Sequence, residues 1–324
     1  MHLPASSSDS VTEPTVLADA SALPAVARTR GGRRSFTTSV TGWLFVSPAV
    51  LLFAAFIAFP VGFALWLSLR SWDGFVPVTE SEWVGFDNFR ALVDDSVFHT
   101  AVRNTTIYAV LSTVVQVGVG FVLAFALWHL RPRLSGAMRA LIFLPTVLSM
   151  VVVGAAWSHM LAFDGPVNGV LGILGVDPVG WLSDPQLVKY VIVWVASWQW
   201  AGWTMVLLLA GMLGVSRELV EAAAIDGASA FTVARHIVAP LLKPVLGLAV
   251  LLNVIGAFQV FDTVYVLTGG GPNHASEMLG TYSYWIAFSG SGPGNLGYAA
   301  SLSVVMIIAL FAFAIVRIRL SRLV

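Results

Sequence analysis

SRELVEAAAIDGASAFTVARHIVAP, running from Ser216 to Pro240, interrupts two long apolar runs, and its punctuation gives it a shape. Ser216 is a good helix N-cap, and Glu218 suits the positive first turn. Leu219, Ala222, Ala223 and Asp226 recur at helical spacing, and Gly227 can end the helix in a left-handed conformation. Ser229 can cap a second helix, which Pro240 helps to end. The stretch predicts two short helices with a sharp bend, outside any membrane. Ala222, Ala223 and Ala224 admit another surface at close range, Leu219, Val220 and Ile225 add apolar contact, and Glu221 and Arg217 can pair charges at the rim. Such a helix fits a partner's groove. A plain amphipathic connector is the other reading of the same spacing.

The chain around it is built for lipid. Of its 324 residues 57% are hydrophobic and 10% charged, against roughly 25% charged in soluble domains. The absence of cysteine excludes disulfides, thiolate metal sites and a cysteine nucleophile, and a formal net charge of zero argues against a nucleic-acid partner. Fifteen arginines against two lysines, Lys189 and Lys243, suggest a bacterial, GC-rich genome. The first forty residues, rich in Ser, Thr, Ala and Pro, read as a disordered tail. A cleaved signal fits them poorly, because the first apolar run starts only near Gly42 and is long.

Six stretches reach the roughly 20 apolar residues that a membrane-crossing helix needs. They are Gly42–Leu69, Thr105–Leu130, Ala140–Phe163, Tyr190–Leu213, Val245–Leu267 and Leu296–Val316. Val167–Val176 is too short and reads as an interfacial helix. Positive residues set direction. Thirteen fall on the side of the tail, the Ser216–Pro240 loop and the carboxyl end, and four (Arg70, Arg90, Arg103 and Lys189) fall on the other. Both termini and the loop are therefore expected in the cytoplasm of a multi-pass cell-membrane protein. The expected organisation is a tail over 1–40, a first span with an external segment over 41–97, and a core of five spans over 98–324. Trp72, Trp83, Phe86 and Phe89 in the external segment read as packing or interface anchors.

The loop resembles the coupling loop of ATP-binding-cassette importer permeases, whose pattern is Glu-Ala-Ala, three residues, Gly, nine residues, Ile, one residue, Leu-Pro. Glu221, Ala222, Ala223, Gly227, Ile237 and Pro240 match it, and Ala239 departs from it. The resemblance implies an all-α type I importer permease in which Glu221 contacts an ATPase, Ala222 and Ala223 pack closely, Gly227 makes the bend and Asp226 stabilises the turn. No Gly-x-x-x-x-Gly-Lys-Ser/Thr occurs, since neither lysine follows a glycine. ATP and Mg are thus expected on two separate ATPase subunits, with no cofactor and no catalytic or metal-binding residue in this chain. A second permease and an external solute-binding protein, lipid-anchored or periplasmic, complete the implied assembly.

Other stretches are similar to the sugar-type permeases, the group of the maltose and glycerol-phosphate permeases. They are Ser47-Pro48 through Phe59-Pro60, Trp83 through Phe89, and Phe258 through Pro272. The resemblance implies carbohydrate import by alternating access. Gln259 and Asp262, three apart, share a helix face in a continuous span, and polar groups in spans usually face a cavity. Asp262 is also near enough to the outer end to reach water, and Asn253 can instead bond a neighbouring helix. Gln199 and Trp203 in the fourth span, with Tyr265 near the outer end of the fifth, complete the expected path; core packing is the plainer reading for a membrane Trp. With no Lys or Arg deep in a span, a neutral di- or oligosaccharide is favoured over a glycerol-phosphate compound. An ion-coupled secondary transporter would need titratable groups at midplane, and only His159 and Asp262 come near.

Overall fold

The computed structural model describes residues 36–130, 132–288 and 295–321. The chain divides into two units, Met1–Ala58 and Phe59–Val324. In the first, α1 (Phe36–Phe53) runs into a π-helical turn, Ala54–Ala58, and its described side chains are almost all exposed and apolar, as a lipid-facing helix requires.

The second unit starts with α2 (Phe59–Leu67) and a two-stranded antiparallel ribbon, β1 (Arg70–Ser71) with β2 (Glu82–Trp83), in which Arg70 pairs with Trp83. The helix α3 (Asp87–Asp94) follows. The ribbon and α3 lie in the segment between the first two expected spans. The Asn88 side-chain amide donates to the Ser68 and Arg70 carbonyls, both at 2.9 Å, and the Arg70 guanidinium lies 4.2 Å over the Trp66 ring.

Asp95 then caps α4 (Ser96–His129), accepting from Val97 N at 2.8 Å and Phe98 N at 3.2 Å. Its other oxygen accepts from the hydroxyls of Tyr282 and Tyr298. Burial alone would raise this carboxyl, but the tyrosine hydroxyls and the two amides outweigh it and hold the group below its ordinary range.

The chain continues through α5 (Pro132–Val147), α6 (Met150–Met160), α7 (Pro166–Ile173) and α8 (Val188–Met212). The α7 segment is the short helix expected between the third and fourth spans. The most extensive packing joins α4 to α8. Gly120 permits it, since a Cβ there would sit 3.0–3.1 Å from Thr204 and Met205. Beyond α8 come α9 (Arg217–Ile225), α10 (Ala230–Val233), a π turn (Ala234–Val238), α11 (Ala239–Leu241) and α12 (Lys243–Phe258). The helices α13 (Asp262–Leu267), α14 (Leu279–Phe288) and α15 (Leu296–Ser321) close the described chain.

Among the described residues, four helices are long and apolar enough to cross a membrane: Gly42–Leu67, Ser96–His129, Val188–Met212 and Leu296–Arg319. Two bent pairs bring the number to as many as six. These are Leu134–Val147 with Met150–Met160, bent by 90°, and Ala230–Leu241 with Lys243–Phe258, bent by 78°. Two expected spans therefore differ from continuous helices. Ala140–Phe163 breaks at Leu148-Ser149, where Ser149 has extended ψ (134°) and starts α6. The Thr146 hydroxyl donates to Gln199 O at 2.8 Å, and Gln199 Nε2 donates to Leu148 O at 3.1 Å, so α8 satisfies groups that the break exposes. Val245–Leu267 breaks after Phe258, and its last six residues form the separate α13.

Candidate functional site

The residues of the Ser216–Pro240 loop form a motif whose hydrogen bonds are nearly all local. The Ser216 hydroxyl accepts from Glu218 N at 3.2 Å, and the Ser229 hydroxyl accepts from Thr232 N at 3.2 Å, so both expected N-caps form. At the other end of α9, Gly227 N donates to Ala224 O at 3.1 Å and Ala228 N to Ala223 O at 2.9 Å. With Gly227 at φ 77°, this is a Schellman turn in which Asp226 is the C-cap. Asp226 takes part through its backbone, its N–H donating to Ala222 O at 3.0 Å.

The two halves of the loop are anchored differently. From the second half Val233, Val238 and Leu242 enter a core with Leu208, Leu209 and Met212. The first half, α9, has no fully buried residue. Its Ile225 is 86% exposed, and Phe231 beyond the bend is 70% exposed. Exposed large apolar side chains of this kind mark a contact surface. Glu221, Arg217 and Val220 border a recess of about 200 Å³ with Trp128 and His129 at the end of α4. Ile237 is half-buried in the π turn, and Pro240 sits exposed in α11, past the expected helix end. The wider π turn before Pro240 and the 78° bend after it show how this proline is accommodated.

The second constellation is a cavity of about 440 Å³, within the range of small-molecule sites. Trp203 from α8, Asn253 from α12, Gln259 from the break and Asp262 from the start of α13 all border it. Gln259 and Asp262 thus meet at a helix interruption, not on one helix face as the continuous-span reading had it. A broken backbone at membrane depth is tolerated where it lines a cavity or is buried in protein. Both hold here: a Cβ on Gly280, at the start of α14, would stand 2.8 Å from Val260 O. Asn253 also bonds its neighbours, donating to Ala249 O at 2.8 Å and to the Thr204 hydroxyl at 3.3 Å.

Two expected path residues lie elsewhere. Gln199 is buried against the α5–α6 break, its amide taken by Leu148 O, and its Oε1 has no hydrogen-bond partner among the described residues. Tyr265 lies in an aromatic cluster at the end of α13 and faces a different recess. Sequence reasoning missed the α4 wall of the cavity, Tyr108, Ser112 and Gln116. Their spacing of four residues is the signal that would have found them, a polar stripe along one face of an apolar helix.

An apolar cavity bordered by a few amides, tryptophans and one carboxylate at a helix break, with a capped two-helix loop at the far end of α12, has the features of a membrane transport subunit. The chain belongs to the family of binding-protein-dependent transport system inner membrane components, whose profile matches residues 116–324. It is 34% identical over 280 residues to the lactose transport system permease protein LacF of Rhizobium radiobacter, covering 85% of this chain and 92% of that protein. It is also 34% identical over 284 residues to the trehalose/maltose transport system permease protein MalF of Thermococcus litoralis, covering 87% and 93%. A chain from the crystal structure of a bacterial ABC transporter involved in the import of the acidic polysaccharide alginate superposes with a TM-score of 0.77 at 20% identity, covering 89% of this chain and 97% of that one. The fold is therefore that of a type I importer permease.

Proposed function

We propose that this chain is one of two permease subunits of an ATP-driven carbohydrate importer, that its cargo is a neutral di- or oligosaccharide, and that the cavity bordered by α4, α8 and the α12–α13 break passes that cargo. The observation that carries the reading is the cavity lining. Gln116, Asn253 and Gln259 supply amides, Trp200 and Trp203 supply flat faces, and Asp262 is the lone ionisable group beside Tyr108. A sugar needs stacking surfaces and directional hydrogen bonds. A phosphate ester needs fixed positive charge, and no lysine or arginine is among these lining residues. The names of the lactose and trehalose/maltose relatives support the same class.

In this reading α9 docks in a groove of a separate ATPase subunit, which binds ATP and Mg. Glu221 makes the polar contact, Ala222 and Ala223 allow close approach, and Gly227 with Asp226 holds the bend, while Val233 and Val238 fix on the core the second helix, to which Ile237 and Pro240 belong. The loop faces the cytoplasm with both termini, and the opposite face meets an external solute-binding protein. ATP binding closes the motors, the loop transmits the movement, and the cavity opens in turn to either side. Glu221→Lys and Gly227→Pro should each reduce ATP-dependent uptake in vesicles to background while the subunit still inserts. Normal uptake by both variants would remove the coupling role. Uptake of a neutral oligosaccharide lost in Asn253→Leu with insertion intact would support the cargo path, and unchanged uptake would sink it.

A further inference from the structure

The helix α12 is sixteen residues long, so its far end lies roughly 24 Å from the loop at about 1.5 Å per residue. At that end the cavity does not stop at its own lining. Phe261, which borders it, stacks on Tyr265 with ring centres 5.2 Å apart and meets Tyr284 at 5.1 Å. Tyr284 in turn meets Tyr265 at 5.4 Å and Phe288 at 5.3 Å. Tyr265, Tyr284 and Phe288 border a second recess, of about 280 Å³. An unbroken run of aromatic rings therefore leads from the cavity to this recess.

The recess also has a polar floor. Glu277 lines it at 3% exposure, its Oε1 accepting from the Thr281 hydroxyl at 2.6 Å and its Oε2 facing His274 Nδ1 at 3.0 Å. Gly270 leaves the room for this carboxylate, since a Cβ there would stand 2.9 Å from Oε1. A carboxylate accepts about four hydrogen bonds, so two held in place leave capacity for incoming hydroxyls. Aromatic faces beside an anchored acceptor are the two contacts a sugar ring uses, one for its apolar C–H face and one for its hydroxyls.

We propose that the Phe261–Tyr265–Tyr284–Phe288 run and Glu277 form a second, outer carbohydrate subsite, which holds the trailing rings of an oligosaccharide while its leading ring occupies the cavity. The proposal rests on the carbohydrate reading above. A belt of interface-anchoring aromatics is the competing account. Such a belt needs neither a buried carboxylate nor continuity with a cavity, and the run has both. The consequence is selectivity for chain length: a disaccharide is served by the cavity, and longer cargo engages both sites.

The test uses the intact complex, with partner permease, ATPases and binding protein, in proteoliposomes. The probes are maltose through maltopentaose, and lactose with its galactosyl-extended tri- and tetrasaccharides. The variants are Tyr284→Leu, Phe288→Leu and their double, which keep apolar area but lose the flat face, with Tyr284→Phe as the conservative control. For the longest sugar of the imported series, the double variant should raise KM about tenfold, the loss of about 1.4 kcal/mol expected of one good stacking contact, with the disaccharide changed by less than about twofold. Tyr284→Phe should match the unmodified complex. An equal loss at every length, as a membrane anchor or subunit contact would give, or no loss at any length, overturns the outer subsite and leaves the carbohydrate reading standing. If the unmodified complex imports no sugar of either series, the carbohydrate reading falls and the subsite with it.

Discussion

The loop between α8 and α12 and the break between α12 and α13 are both interruptions of apolar helices, yet they are held in opposite ways. The loop is closed by its own residues: Ser216 and Ser229 cap its helices, and Ala223, Ala224, Gly227 and Ala228 bond within a single turn. The break is held from a distance. Gly280 of α14 presses on Val260 O, and the Thr263 hydroxyl lies 3.8 Å from Met150 Sδ in α6. Short-range hydrogen bonding shapes the bend, which Val220, Ala223 and Ala228 seat on the helix core, whereas the break is crowded by helices distant in sequence. Substitutions at the two places should accordingly fail in different ways.

The largest effect is expected at Gly280. In Gly280→Val, side-chain atoms must enter a space where even a Cβ would lie 2.8 Å from a backbone oxygen. Backbone yields less readily than a flexible side chain, so the overpacking should cost about 1–3 kcal/mol. It should appear as a lower thermal midpoint of the purified subunit and as impaired transport, because the displaced atoms carry Gln259 and Asp262. A variant with unchanged midpoint and transport would show that the break does not depend on α14.

Asp95 sharpens the same point from further away. It joins α14 to the start of α4 and to α15 through Tyr282 and Tyr298, and so steadies the helix that crowds the break. Replacing its carboxylate in Asp95→Asn weakens charge-assisted bonds worth about 1.5–3 kcal/mol. Because these bonds hold the native carboxyl below its ordinary value of about 3.9, their contribution is present above that pH and is lost as pH falls through the lowered value. The difference in thermal midpoint between the native chain and Asp95→Asn should therefore be constant near neutrality and close under acid conditions. A difference that persists unchanged in acid would mean that charge is not what Asp95 contributes.

This contrast also explains what could be read from the amino-acid order. Both N-caps, the left-handed glycine and the two-helix shape of the loop follow from neighbours a few positions apart, which is the range that local rules reach. Six apolar stretches were equally legible, since composition alone marks them. The breaks at Leu148 and Gln259 were less so: Pro145 marks a weak point near the first, but where the backbone yields depends on helices distant in sequence. Gln199 illustrates the cost. Its type and its place in a span suggest a cargo contact, but its partner is the carbonyl of Leu148, which becomes free at the break. Trp203, Asn253, Gln259 and Asp262 do share one cavity, while its α4 wall, Tyr108, Ser112 and Gln116, is marked in the sequence only by a four-residue spacing of polar groups.

The smallest effect lies in the loop, and it separates conformation from space. A Cβ added at Gly227 meets nothing within 4 Å, so Gly227→Ala pays only for the positive φ of 77°. That strain is about 1–2 kcal/mol for an L-residue in the left-handed region. Gly227→Pro cannot adopt this φ at all, and it also deletes the N–H that bonds Ala224 O. Uptake should therefore survive, reduced, in the alanine variant and vanish in the proline one, with a thermal midpoint near that of the native chain in the first case. If alanine abolishes uptake as completely as proline while the midpoint holds, the bend is not what matters at Gly227. The surface that Gly227 leaves open must then be in direct contact with the ATPase.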